Sequence, residues 1–411
     1  MNILFVHQNF PGQFRHVAPE LARQGHRVVA LGVNRTPDRL PGVQHVLHQP
    51  KSNPEVLGKA AAPPLHELVS KMVRGDSAAR AMMALRDEGF VPDVVFAHPG
   101  WGEAFYAKDV FPQARLLVYC EYYYGREGGD LGFDPEFTSR DIGAQMRSRL
   151  KNTHLLQAIS VADAGLSPTQ FQKAQHPDWF LDRITVLHDG IDTNRFVPDA
   201  NAHVTLQNAG VTLRAGDEVL TFVARELEPY RGYHTFMRSL PLLQQLRPKA
   251  RVVIVGGDGT SYGSPPPQGT TWKQRFLDEV GGQLDLSRVH FVGKLPHAAL
   301  TALMQVSAAH VYLTYPFVLS WSLLEAMSIG CAIVASGTAP LREVIRDGEN
   351  GFLTDFFDAQ ALARKAAEVL ERRAELAHVR AAARELVVAG YDLQAHCLPG
   401  WVRFVAGAAA G

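Results

Sequence analysis

The chain has 411 residues, 46% hydrophobic and 20% charged, enough for two or three domains with full cores. Lys+Arg and Asp+Glu are equal at 41 each, so bulk charge argues against nucleic acid or a strongly anionic surface as a partner. Cys120, Cys331 and Cys397 are too few and too scattered for a disulfide scaffold or a zinc site. They predict free thiols in a reducing compartment. The opening apolar residues give way to Gln8 and Asn9, which does not fit a signal peptide. No run approaches the ~20 apolar residues of a membrane span. A cytoplasmic protein is expected.

Residues 2–7 predict a buried strand, 8–14 a loop, 15–24 a helix stopped by Gly25, and 26–31 a second strand. Gly12 sits where this first loop either brings backbone close to a ligand or turns sharply. Residues 54–88 predict two helical pieces around Pro63-Pro64. Strands follow at 92–98 and 116–120, the first ending in Pro99-Gly-Trp-Gly-Glu103 and the second in Glu121-Tyr-Tyr-Tyr124. His98, Trp101, Glu121 and Tyr122 therefore share the strand-end edge with Gly12, which is where ligands sit in open α/β sheets. A histidine elsewhere would more often be structural. Residues 125–136 form a Gly- and Asp-rich loop, either a surface loop or one that orders on binding. A helix is expected over 139–158, with Arg147, Arg149 and Lys151 on a solvated face. Short strands are expected at 158–161 and 184–187. The polar turn 188–193 closes a first domain, and 198–216 has the composition of a linker.

A second series begins with a strand at 219–224 and the loop Arg225-Glu-Leu-Glu-Pro-Tyr-Arg-Gly232. A helix at 233–246 and a strand at 251–256 follow. Gly256-Gly-Asp-Gly259 is no dinucleotide fingerprint, because Pro265-Pro-Pro267 cannot open a helix after it. A strand at 289–293 and a helix at 298–306 lead to an apolar strand, 310–315, stopped by Pro316. Ser320-Trp-Ser322 then opens a helix ending at Gly330, before another buried strand at 332–336. This βαβ unit sets a loop at a strand's carboxyl end, and the free N–H groups of the helix start favour an anion there. Glu325 is the one charged residue of that apolar helix and is expected in its first turn. It has two readings: a ligand contact, or the acid of a capping box, Ser322-Leu-Leu-Glu325. Residues 359–388 are amphipathic and helical. The last helix, 394–406, carries Trp401 and Phe404 and can fold back on the first domain. The expected division is 1–197, 198–389 and a returning helix at 390–411.

Two α/β halves, a polar linker and a crossing helix, together with four motifs in order, resemble a retaining glycosyltransferase of family 4, on the GT-B fold. The motifs are Leu323-Leu-Glu-Ala-Met327 with Gly330-x-x-Ile-Val-Ala-Ser336 and Asp347-Gly-x-Asn-Gly351; Arg225-x-Leu-x-Pro-x-Arg-Gly232; His98; and the Gly12 loop. The resemblance implies two Rossmann-like domains facing a cleft, with a nucleotide-sugar donor, UDP- or GDP-linked, on the second. Glu325 would bind the ribose, and Gly293, Lys294 and Leu295 would lie by the base. Arg225, Arg231 and the residues Val318, Leu319, Ser320 and Ser322 would hold the diphosphate, and His98 would contact the donor sugar or support the reaction. Trp101, Glu121 and Tyr122 would lie on the acceptor side. No Asp-x-Asp pair occurs, so no metal is expected: the two arginines and the helix start would stabilise the leaving diphosphate. The acceptor would be a glycan, a small molecule or a lipid-linked sugar met at the inner membrane face. Three departures stand out. The spacing between Arg225 and Arg231 is one residue longer than between the family's two basic residues, and Arg231 stands where Lys is usual. Phe317 stands where the family usually has a first glutamate that reads the sugar. A non-catalytic nucleotide-sugar binder and a nucleotide-sugar epimerase remain the alternatives.

Overall fold

The computed structural model describes residues 1–35, 39–51, 63–125 and 128–410. They form two compact units. One comprises Met1–Gly132, Ser139–Gly190 and Gln394–Gly411; the other comprises Phe133–Thr138 and Ile191–Leu393.

The first unit is built on seven parallel strands: β1 (Asn2–Val6), β2 (Arg27–Gly32), β3 (Val43–Leu47), β4 (Val94–Ala97), β5 (Arg115–Tyr119), β6 (Ala164–Ser167) and β7 (Ile184–Val186). Their order in the sheet is β3-β2-β1-β4-β5-β6-β7. The central strands are buried on both faces, which is why they are continuous apolar runs rather than alternating ones. Chain order reverses between β1 and β4, so the crevice of this sheet opens at their carboxyl ends. The helix Leu398–Ala410 belongs to this unit. Its Trp401 stacks on Phe96 and Tyr119, and the indole N–H donates to the His188 carbonyl at 3.0 Å.

The second unit carries a hairpin, β8 (His203–Leu206) and β9 (Val211–Arg214), and six parallel strands: β10 (Val219–Glu226), β11 (Arg251–Gly257), β12 (Val289–Gly293), β13 (Ala309–Tyr312), β14 (Ile333–Ser336) and β15 (Phe352–Thr354). The order is β12-β11-β10-β13-β14-β15, so the switch point lies between β10 and β13. In β10, Val223 faces Val255 but Glu226 faces Gly257, a bulge of one residue.

The segment Phe133–Thr138 packs entirely within the second unit. The buried Asp134 carboxylate accepts from the Tyr315 hydroxyl at 2.7 Å and lies 3.2 Å from His234 Nε2. Burial opposes ionisation of Asp134, but these partners outweigh it and hold its pKa below the ordinary carboxylate value.

Several expectations fail locally. Residues 158–161 are not a strand but the end of a helix, Thr153–Val161, which buries His154, Leu155, Ala158 and Ile159 on one face. That spacing is helical, and the strand comes later, at β6. The helix expected over 139–158 is two, Ile142–Lys151 and Thr153–Val161, broken at Asn152. The Asn152 amide is committed to the backbone N–H and carbonyl of Tyr124. The supposed linker at 198–216 contains the β8–β9 hairpin, and β3 has no counterpart in the expected elements. The helix Pro63–Asp87 matches the second piece of the 54–88 pattern. Residues 54–62 lie outside the described ones, as do 126–127 in the glycine-rich loop. Among the described residues, no helix is long and apolar enough to cross a membrane.

Tyr315→Phe removes one charge-assisted bond from a buried carboxylate, so the second unit should lose about 1.5–3 kcal/mol at neutral pH, read by urea unfolding. Asp134 has a depressed folded pKa. The deficit should therefore persist above the unfolded carboxylate pKa and shrink as pH falls through the folded one.

Candidate functional site

In the first unit, four of the expected residues do converge at the strand ends. His98 follows β4 and is 2% exposed. Its Nδ1 accepts from the Gly100 N–H at 3.1 Å, which assigns the ring proton to Nε2. Nε2 lies 3.4 Å from the Glu121 carboxylate, which follows β5. Trp101 packs on both His98 and His7, with ring centroids 4.5 and 4.8 Å apart. His7 ends the first strand region. Its Nε2 donates to Gln13 Oε1 at 2.9 Å, and Gln13 Nε2 donates to Glu121 at 3.2 Å. A hydrogen-bonded chain thus runs His7–Gln13–Glu121 and meets His98 across the carboxylate.

Burial, reinforced by the neighbouring His98, pushes the pKa of His7 down to about 3. At neutral pH His7 is an uncharged donor to Gln13. Gly12 has φ +46°, and a Cβ there would lie 2.3 Å from His7 Nε2. The residue is needed by the packing of its own loop, whatever else approaches it. Tyr122 is buried and its hydroxyl meets Asp130 at 3.2 Å. A cavity of about 50 Å³ is lined by His98, Glu121, Tyr122, Lys71 and His154. The His154 Nε2 donates to the Gly100 carbonyl at 2.9 Å.

In the second unit, Arg231 is buried beneath the carboxyl ends of β10 and β13. Its NH1 donates to Thr314 Oγ1 at 2.8 Å, to the Val318 carbonyl at 3.2 Å and to the Tyr312 hydroxyl at 3.4 Å. The same Tyr312 oxygen accepts from the Ser320 N–H at 3.0 Å, so the guanidinium is tied to the start of the helix Trp321–Ile329. Tyr262 lies over the guanidinium at 5.0 Å. Glu228, fully buried, holds Tyr262 there by accepting from the backbone N–H groups of Ser261, Tyr262 and Gly263. Burial raises the Glu228 pKa despite those donors. Phe317 is buried against Tyr230 and Tyr262.

Arg225 is exposed near the end of β10, with no ion-pair partner among the described residues. Lys294 is paired with Glu226 at 2.5 Å, and Gly293 is exposed beside it at the end of β12. Leu295 packs against a small apolar cluster, and Leu319 is buried in the core.

Glu325 is not in the first turn, and the capping box does not form. Ser320 is the N-cap: its Oγ accepts from the Ser322 N–H at 3.3 Å. Glu325 lies one turn further on, surrounded along the helix by buried Leu323, Leu324, Ala326 and Met327. Its side chain is 16% exposed and sits 3.4 Å from His297 Nε2. Burial raises its pKa, opposed by His297 and then Arg195. His7, Gln13, Arg195 and His297 were not singled out from the sequence. His7 and Gln13 flank the Gly12 loop and were findable by position. Arg195 and His297 lie far apart in the chain and give no local signal.

Two family models match the chain: "Glycosyl transferase family 4 group" over residues 24–196 and "Glycosyl transferases group 1" over residues 207–386. The chain belongs to these glycosyltransferases. Glycogen synthase of Mycobacterium tuberculosis is 26% identical over 416 residues, spanning 96% of this chain and 92% of the relative. Sucrose-phosphate synthase of Thermosynechococcus elongatus superposes with a TM-score of 0.74 at 18% identity, over 100% of both chains. HepE of Anabaena, solved in complex with UDP-glucose, gives a TM-score of 0.63 at 16% identity, over 100% of this chain and 99% of that one. These likenesses show the GT-B fold, with two Rossmann-like parallel-sheet domains.

The capping assignment has a direct check in thermal unfolding. Ser320→Ala should cost about 0.5–2 kcal/mol. Glu325→Gln should not lower stability, since the carboxylate caps nothing and burial already works against its charge.

Proposed function

We propose that the chain is a retaining, metal-independent glycosyltransferase. It would move a sugar from a UDP- or GDP-linked donor to a glycan, a lipid-linked sugar or a small-molecule acceptor. The observation that carries this reading is Glu325. A carboxylate half sunk into an apolar helix, freed of any capping duty, is costly to keep unless something uses it. Ribose hydroxyls are the natural partners, because each donates to one carboxylate oxygen.

The rest of the site follows from charge. As the bond from the anomeric carbon to the phosphate oxygen breaks, negative charge grows on the diphosphate. Arg231, fixed by three acceptors, and the N–H groups at the start of the 321–329 helix are preorganised to receive it. Arg225 adds a second guanidinium, and this pair of arginines is the ground for metal independence. In front-face attack the acceptor oxygen bonds to the anomeric carbon on the side the phosphate leaves. The acceptor's proton passes to the leaving phosphate oxygen, so configuration is retained. The role of His98 is to contact the donor sugar; its Nε2–H, held near Glu121, is the available donor.

One observation favours a second reading, a nucleotide-sugar binder without turnover. Phe317 stands where the family's first glutamate would read the sugar, and it is walled in by Tyr230 and Tyr262. It offers the sugar no hydrogen bond.

Purified chain given UDP-glucose or GDP-mannose in excess chelator should release nucleoside diphosphate, by hydrolysis or by transfer to a supplied glycan. NMR of the released or transferred sugar should show the donor's anomeric configuration. Glu325→Gln should weaken donor binding by roughly 10–150-fold, the worth of a charge-assisted bond. Turnover restored only by added magnesium would contradict the phosphate assignment. An inverted product would contradict the retaining mechanism. Tight donor binding with no turnover would favour the second reading.

A further inference from the structure

Glu325 recognises a diol only if its two oxygens are presented in a fixed plane. A glutamate side chain has three rotatable bonds, so something must hold it. Among the described residues, His297 is the one side chain within ion-pair distance, its Nε2 3.4 Å from Oε1. The state of that imidazole is set from its other side. Arg195 NH2 lies 2.9 Å from His297 Nδ1. A guanidinium can only donate, so Nδ1 accepts and the ring proton sits on Nε2, facing Glu325.

Arg195 is itself positioned. Asp192 Oδ1 accepts from the backbone N–H groups of Asn194 and Arg195, both at 3.2 Å, which fixes the turn. The guanidinium lies over the Phe196 ring at 5.4 Å, and the His297 ring meets Phe196 edge-on, also at 5.4 Å. Phe196 is buried. His297 opens the helix His297–Val306, directly after Pro296, so its backbone is held as well.

We propose that Arg195 and His297 form a hydrogen-bonded relay that orients the Glu325 carboxylate for a ribose diol, making His297 a positioning residue for the nucleotide half of the donor. His297 occupies one acceptor site of Oε1. Oε2 and the remaining lone pair of Oε1 are left for the two hydroxyls. This deepens the reading of Glu325 as a ribose ligand and rests on it. An exposed Arg–His–Glu contact without such a role would leave nucleotide binding unaltered, because surface pairs are individually weak.

The test is calorimetric titration of the whole chain with UDP, GDP and ADP, each paired with its 2′,3′-dideoxy analogue. Parent, His297→Ala, His297→Gln and Arg195→Ala are compared, with melting temperatures as a control for folding. The parent should bind one diphosphate clearly better than its dideoxy analogue. His297→Ala should lose roughly tenfold for that nucleotide, about the worth of one oriented hydrogen bond, and nothing for the analogue. His297→Gln places an amide N–H near the position of Nε2 and should recover most of the loss. Arg195→Ala should fall between parent and His297→Ala. If the parent prefers the ribose form but His297→Ala leaves that preference intact, or weakens both ligands equally, the relay is overturned and Glu325 keeps its role. If the parent binds none of the three, or binds ribose and dideoxy forms alike, the ribose reading of Glu325 and the relay fall together.

Discussion

The second unit's site depends on one buried cation. A guanidinium removed from water is tolerated only when its donors are met by well-placed acceptors. Arg231 meets three through NH1 alone: a threonine hydroxyl, a tyrosine hydroxyl and a main-chain carbonyl. Satisfying it fixes more than the arginine. The Val318 carbonyl is held on the guanidinium. Tyr312 is shared with the Ser320 N–H, so the helix start is set at a fixed distance from the charge. Gly232, directly after Arg231, takes φ +67°, and a Cβ there would lie 2.3 Å from Leu313 Cβ. The turn that aims Arg231 inward therefore needs glycine. The same arrangement brings the Arg231 charge and the start of the 321–329 helix together at this strand end.

The first unit uses a different device at its own switch point. There the histidines are fixed as directional groups: burial keeps His7 uncharged, and a main-chain N–H sets the orientation of His98. Glu121 receives Gln13 on one oxygen and lies near His98 on the other. Such a cluster offers directional donors and acceptors.

Much of this was legible in the sequence, for physical reasons that differ between elements. Strands buried on both faces, such as β1, β4, β10 and β13, read as unbroken apolar runs. Strand-end residues then declare themselves: His98, Trp101, Glu121, Arg231 and Ser320 all lie where the strand pattern stops. The Thr153–Val161 helix was misread at its end because four apolar and small residues look the same in a strand and in the last turn of a buried helix. The β8–β9 hairpin was missed because its strands are short and only half buried. The capping box was a plausible pattern at the wrong register: the helix begins two residues earlier than that box requires, and one serine took the cap instead of another. The Arg195–His297 contact was illegible, since it depends on a turn and a distant helix start being folded side by side and no local periodicity records that.

The central claim is that Glu325 and the start of the 321–329 helix bind the nucleoside diphosphate of a sugar donor. A crystal structure of the chain with UDP, or with whichever diphosphate it binds most tightly, tests this most directly. The account predicts ribose hydroxyls within about 3.2 Å of the Glu325 carboxylate, with the diphosphate at the start of the 321–329 helix and within reach of Arg231. A nucleotide bound elsewhere, or bound there with its ribose turned away from Glu325, would contradict it.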